Sequence, residues 1–133
     1  MNKKIDHIGI AVKDLQSTQK IFETIFNTKA SKVEIVESEN IKTVFLKAGT
    51  SKIELLEDLN KDGVINDFIK KRGPGIHHLA IEVSNITTEI KRLKKQGFSI
   101  INSSPSKGAN GKLISFLHPR ETGGVLIEIC QKK

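Results

Sequence analysis

The stretch Asp6-His7-Ile8-Gly9-Ile10-Ala11-Val12 returns, altered but legible, as His77-His78-Leu79-Ala80-Ile81-Glu82-Val83. A shift of 71 positions lays Ile5, His7, Ile10 and Val12 on Ile76, His78, Ile81 and Val83, and carries Phe45-Leu46 onto Phe116-Leu117. A shift of 74, allowing a turn three residues longer, carries Ile53-Glu54-Leu55 onto Ile127-Glu128-Ile129. Self-similarity on this scale marks a duplicated supersecondary unit. Its matched polar residues are one histidine and one glutamate per copy, residue types that ligate metals.

Strand parity assigns the faces. Successive side chains on a strand point to opposite sides, so Ile8, Ile10 and Val12 share one face of the first strand while His7, Gly9 and Ala11 share the other. The aliphatic face calls for a helix, and one is predicted next, with Asp14 as N-cap, an apolar stripe of Ile21, Phe22, Ile25 and Phe26, and an end near Asn27. Strands over 32–37, 41–46 and 52–57, separated by Ser38-Glu39-Asn40 and Gly49-Thr50, complete a βαβββ unit. In the last of them Ile53 and Leu55 share a face, which turns Glu54 toward the side that carries His7.

A linker helix over 62–72, stopped by Gly73-Pro74-Gly75, leads into the second copy. This has a strand over 76–83, Asn85 as N-cap, a helix with Ile86, Ile90 and Leu93 that stops at Gly97, and a short strand over 98–101. A polar loop over 103–111 and a hairpin of 113–117 with 125–131 follow. The predicted fold is α+β, with two tandem βαβββ modules, about residues 5–57 and 76–131, forming a curved sheet cup in one domain spanning 1–133.

Composition narrows the function classes. At 133 residues the two copies must share a core, and 37% hydrophobic with 28% charged residues is ordinary for a soluble protein. No apolar run is long enough to span a bilayer, and no signal region precedes the first strand, so a cytoplasmic protein is expected. A single cysteine, Cys130, cannot form an internal disulfide, and its apolar strand suits a small buried side chain better than a nucleophile. The net charge of +7 is spread without a long basic block, and no Trp or Tyr is present to stack bases. This argues against nucleic acid and suits a small polyanionic ligand.

Equal parity in the two copies is expected to bring His7, Glu54, His78 and Glu128 into one cup lined by Gly9, Ala11 and Ala80. A carboxylate in an apolar strand is costly unless paired or bound to a cation, and two imidazoles with two carboxylates suit a six-coordinate divalent ion with two open positions. Taken singly, a strand histidine is more often a hydrogen-bonded structural group and a strand glutamate more often faces water; the fourfold match outweighs that. His77 points toward the helix face, and only a local bulge would exchange it with His78.

The motifs His7-Ile-Gly-Ile-Ala-Val12, Lys52-Ile-Glu-Leu-Leu-Glu57, Gly75-Ile-His-His-Leu-Ala-Ile-Glu-Val83 and Phe116-Leu-His-Pro-Arg-Glu-Thr-Gly-Gly-Val-Leu-Ile-Glu-Ile-Cys-Gln131 resemble the methylmalonyl-CoA epimerase family. That family belongs to the vicinal-oxygen-chelate superfamily, which also holds glyoxalase I, extradiol dioxygenases and antibiotic-resistance proteins. The resemblance covers nearly the whole chain. It implies the paired βαβββ glyoxalase fold, a homodimer, and one divalent ion per chain, Co2+ or Mn2+ ahead of Ni2+, Mg2+ or Zn2+. It implies ligands at His7, Glu54, His78 and Glu128, with Gln standing at the Glu54 position in some relatives. It also implies an acid/base glutamate just before the strand that starts at Ile41, where a gap-free match finds Ser38 between Glu37 and Glu39, leaving both glutamates as candidates. Gly108-Ala-Asn-Gly111 matches a Gly-Ala-His-Gly loop, with Asn110 in place of the histidine.

The implied reaction is inversion at C2 of methylmalonyl-CoA, an acyl-CoA thioester, through an enolate, with Glu128 as one acid/base and Glu37 or Glu39 as the other. Three rivals share the fold. A glyoxalase I-like lyase would act on a glutathione hemithioacetal; a dioxygenase would want two histidines and one carboxylate on Fe(II); a metal-free small-molecule-binding protein would need no convergent ligands.

Overall fold

The structure, a computed structural model, describes residues 3–102 and 104–132. Met1, Asn2, Lys133 and Ser103, the first residue of the expected polar loop, lie outside the described residues. The described backbone falls into two compact units, one of residues 7–77 and one of residues 3–6 with 78–102 and 104–132.

In the first unit β1 (Lys4–Ala11), from His7 onward, pairs parallel with β4 (Ser51–Asp58), which pairs antiparallel with β3 (Ile41–Ala48), and β3 in turn with β2 (Glu34–Val36). Helix α1 (Leu15–Phe26) packs on one face. Val12, Leu15, Val44, Leu46 and Leu55 are buried there, with Ile10, Phe22, Ala30 and Ile53 packed around them. Truncating Leu46 or Leu55 to Ala would cost about 2–5 kcal/mol, since the cavity adds to the lost transfer energy. The helix is rotated from the expected stripe: Leu15 and Phe22 meet the sheet, whereas Ile21 and Ile25 stand exposed. Leu15 and Phe22 lie seven residues apart, two turns along one face, which places Ile21 and Ile25 to one side of it. The helix ends at Asn27, left-handed at φ 52, a conformation Asn tolerates better than other non-glycine residues.

The starts of α1 and of the next helix each draw an acceptor from the end of β4. Asp14 occupies the N-cap of α1, but the Leu15 N–H donates to Glu57 Oε1 at 2.6 Å. Helix α2 (Val64–Arg72) has Gly63 at its N-cap, with no side chain to offer. Asp58, at the end of β4, supplies the acceptor, its Oδ2 taking the Asn66 N–H at 2.6 Å. A Cβ on Gly63 would lie 2.3 Å from Asp58 Cγ, so the glycine leaves the space that the carboxylate fills.

In the second unit β5 (Gly75–Glu82), from His78 onward, pairs parallel with β8 (Ile127–Gln131), β8 antiparallel with β7 (Leu113–Leu117), and β7 with the two-residue β6 (Ser106–Lys107). Helix α3 (Ile86–Lys95) buries Ile86 and Ile90 against Val83, Leu117 and Ile129. Asn85 accepts the Thr88 N–H at 3.0 Å, and the Ile86 N–H donates to Gln131 Oε1 at 2.8 Å. The chain thus runs βαβββ twice with α2 between, the order of the glyoxalase fold.

One expected strand is absent. Over 98–101 only the single bridge Ile100 to Leu117 forms, because the Ser99 N–H is taken by Glu121 Oε1 at 2.7 Å instead of a ladder partner. The short strand lies further on, at Ser106–Lys107, inside the stretch read as loop. Among the described residues no helix is long and apolar enough to cross a membrane.

Candidate functional site

The ladder places Glu54 between two residues that shape its surroundings. Gly9 is its partner across the parallel pair and Phe45 its partner across the antiparallel one. His7, two residues before Gly9, shares their face, and its Nε2 lies 3.1 Å from Glu54 Oε1. The Phe45 ring meets the imidazole edge-on, 5.6 Å between centroids and 84° between planes. His7 is 3% exposed and Glu54 4%. Thr43, fully buried, lies 2.9 Å from both Glu54 Oε2 and the Leu55 carbonyl oxygen.

The second unit repeats the histidine, glutamate and phenylalanine of this arrangement. Ala80 and Phe116 are the ladder partners of Glu128. His78 Nε2 lies 3.3 Å from Glu128 Oε1, and Phe116 meets the imidazole edge-on at 6.1 Å and 87°. His78 is 3% exposed and Glu128 5%. His–Glu–Phe is therefore a duplicated constellation, with a small residue beside each glutamate.

The donor set of each pair fits a divalent cation. An imidazole nitrogen and a carboxylate oxygen facing each other in a buried setting need a proton or a cation between them. Two donors at about 2.0–2.2 Å from one ion, at a right angle, lie about 3 Å apart, close to the observed 3.1 and 3.3 Å. Nitrogen with hard oxygen suits a first-row divalent ion.

His77 takes a different course from His78. Its ring stands edge-on to Phe68 of α2, 4.9 Å between centroids. Glu37 and Glu39 lie outside the ladders, in the turn over 37–40 between β2 and β3, where the Glu39 N–H reaches the Val36 carbonyl and the Asn40 N–H the Glu37 carbonyl, each at 3.2 Å. Glu37 is exposed and Glu39 half-buried. After Gly108 the chain makes a kinked turn over Ala109–Gly111, with Asn110 left-handed at φ 59.

Two features escaped the sequence reading. One is the Thr43 hydroxyl on Glu54. The other is a buried ion pair, Lys112 Nζ to Asp6 Oδ2 at 2.7 Å, which ties the end of the 108–111 turn to β1 one residue before His7. Charge alone did not signal it, since Asp6 precedes a strand histidine and Lys112 ends a polar loop, positions where either side chain is ordinarily solvated. Cys130 is fully buried, and burial, reinforced by the Asp6 and Glu128 carboxylates, pushes its thiol up to about 12, which disqualifies it as a nucleophile.

Residues 6–116 match the Glyoxalase/Bleomycin resistance protein/Dioxygenase superfamily. The chain belongs to that superfamily. It is 37% identical over 130 residues to the uncharacterized protein YqjC of Bacillus subtilis, covering 98% of this chain and 93% of that one. It is 35% identical over 129 residues to the mitochondrial methylmalonyl-CoA epimerase of Homo sapiens, covering 96% of this chain and 73% of the human one. The Streptomyces coelicolor methylmalonyl-CoA epimerase superposes with a TM-score of 0.93 at 28% identity, covering 99% of both chains. That enzyme has been solved in complex with 2-nitronate-propionyl-CoA in one form with a glutamine replaced by alanine and in another with a glutamate, 17 residues earlier, replaced by leucine. The superfamily member described here thus has relatives that are epimerases of a CoA thioester.

Proposed function

We propose that this protein epimerises methylmalonyl-CoA at C2, with His7, Glu54, His78 and Glu128 holding one divalent ion, Co2+ or Mn2+, in each chain of a homodimer. The observation that carries the reading is the His–Glu–Phe constellation repeated in both modules of a chain whose relatives include methylmalonyl-CoA epimerases. An ion bound there supplies Lewis acidity, offsetting the negative charge that develops on the thioester and carboxylate oxygens as C2 loses its proton.

The side chains do the rest. Glu128 takes the C2 proton on one face or returns it, and a second carboxylate does the converse on the other face, as inversion of one carbon requires. Phe45 and Phe116 wall the two pairs and keep water from the carboxylates. Of the two candidates for the second acid/base, spacing favours Glu37, which stands 17 residues before Glu54, the separation of the substituted glutamate and glutamine in the Streptomyces enzyme. The net charge of +7 favours the phosphates of CoA.

The test is carried out in heavy water with chelator-treated protein reloaded with Co2+ or Mn2+. Epimerisation should carry solvent deuterium into the inverted product, because the proton removed by one group is not the proton delivered by the other. Removing the ion should abolish exchange and inversion together. Protein that leaves methylmalonyl-CoA untouched but isomerises the methylglyoxal–glutathione hemithioacetal would replace this reading with the lyase one. Protein that takes up no divalent ion would favour a metal-free binding function.

A further inference from the structure

The duplication gives two matched glutamates, yet beyond the exchange of Gly9 for Ala80 their surroundings differ in a hydroxyl. Thr43 sets its hydroxyl 2.9 Å from Glu54 Oε2, while Glu54 Oε1 faces His7. The shift of 71 that matches Phe45 with Phe116 matches Thr43 with Ile114, and the ladders agree, since Thr43 partners Leu56 and Ile114 partners Cys130. Ile114 has no hydroxyl to offer its module.

We propose that Thr43 is a positioning residue that fixes Glu54 as a ligand through one oxygen, and so separates the work of the two glutamates: Glu54 to hold, Glu128 to hold and to move a proton. The inference rests on the metal reading above. Its physical basis is the single hydroxyl hydrogen of Thr43, which has two acceptors in reach, Glu54 Oε2 and the Leu55 carbonyl. An ionised carboxylate is the stronger acceptor, so with an ion present the hydrogen goes to Oε2. That pins the carboxylate plane, leaves Oε1 toward the imidazole, and removes the rotamer freedom that a loose glutamate would lose on binding. Thr43 is fully buried, so no water competes for the bond. A hydroxyl is the right partner here because it donates to a carboxylate and needs no charge of its own.

The experiment compares Thr43→Val, which keeps the shape and strand preference, with Thr43→Ser, which keeps the hydroxyl. Chelator-treated proteins are titrated with Co2+ by calorimetry, and their thermal midpoints are measured without ion. Thr43→Val should weaken Co2+ binding about 10- to 100-fold, beyond any fall in the ion-free midpoint caused by taking a donor from two buried acceptors, and Thr43→Ser should restore most of the affinity. In a Glu54→Ala background the same Thr43→Val change should leave affinity unaltered, since the group it positions is gone. At saturating Co2+ the turnover of Thr43→Val should recover toward the parent's. Undiminished Co2+ affinity in Thr43→Val, with the parent binding one ion, overturns this proposal and spares the metal reading. A parent that binds no ion overturns both.

Discussion

Glu57 Oε1 accepts the Leu15 N–H at 2.6 Å, and Gln131 Oε1 accepts the Ile86 N–H at 2.8 Å, so the last strand of each module caps the helix that follows its first strand. The duplication carries Leu15 onto Ile86 and Glu57 onto Gln131 under the same two shifts that match the histidines and the glutamates. The cap closes each βαβββ unit on itself.

A first prediction follows from this closure. Glu57→Ala and Gln131→Ala should each lower stability by about 1 kcal/mol, the usual worth of a helix cap, whereas Glu57→Gln should cost less, because the second module already uses an amide. Thermal unfolding checks this, and a Glu57→Gln protein as unstable as Glu57→Ala would show that the charge, acting on the helix dipole, matters more than the bond.

The histidines separate by partner. His78→Ala and His7→Ala should each lose stoichiometric Co2+ binding and epimerisation together. His77→Ala should keep both and show a lower thermal midpoint, because it gives up its ring contact with Phe68. Metal analysis after gel filtration decides, and the reverse pattern would exchange the roles of the neighbouring pair.

The turn over 37–40 supplies the next test. Glu37→Gln should retain the ion and lose epimerisation by about 100-fold or more, the scale of general acid–base catalysis, while Glu39→Gln retains activity. Isotope exchange at C2 gives a finer readout, since a protein with one remaining base should still exchange from one epimer. Full activity in both variants would place the second acid/base elsewhere.

Cys130 offers a prediction about pH. Its thiol is raised from 9.0 to about 12 in the folded protein, so the native state disfavours the thiolate. Any stability linked to this group is therefore intact below pH 9 and falls as the pH climbs from there toward 12, where the unfolded chain ionises first. Iodoacetamide at pH 8 should leave Cys130 unmodified in native protein and label it once guanidinium is added. Rapid labelling of the native protein would contradict the burial.

Much of the arrangement was readable in the sequence because it rests on period two. Parity alone turned His7 with Glu54, and His78 with Glu128, to the face away from the helices, and the structure sets each pair within hydrogen-bonding range. What parity does not carry is which residues of distant strands meet end to end. Asp14 reads as a cap because it sits beside its helix, yet the Leu15 N–H goes to Glu57, 42 positions away. Thr43 reads as one more residue of a β-prone strand, and only the ladder reveals that its hydroxyl reaches Glu54. The strand expected over 98–101 failed for a related reason, since a side chain, Glu121, took the N–H that a ladder would have used. The apolar stripe of α1 misled because four large hydrophobic residues outline two overlapping faces, and packing chose the one that runs through Phe22.

The pairing of Gly63 with Asp58 sets a trap for anyone engineering a hardier version of this protein. A routine survey of helix starts would flag Gly63 as a weak opening residue and recommend Ser or Asp there. Either replacement would push its Cβ into the space of the Asp58 carboxylate, dislodging the group that already serves the Asn66 N–H and stranding a charge in the interior. The two positions behave as one exchangeable part. A local opener at residue 63 becomes usable only when residue 58 is shortened in the same step, and each change made alone is a loss.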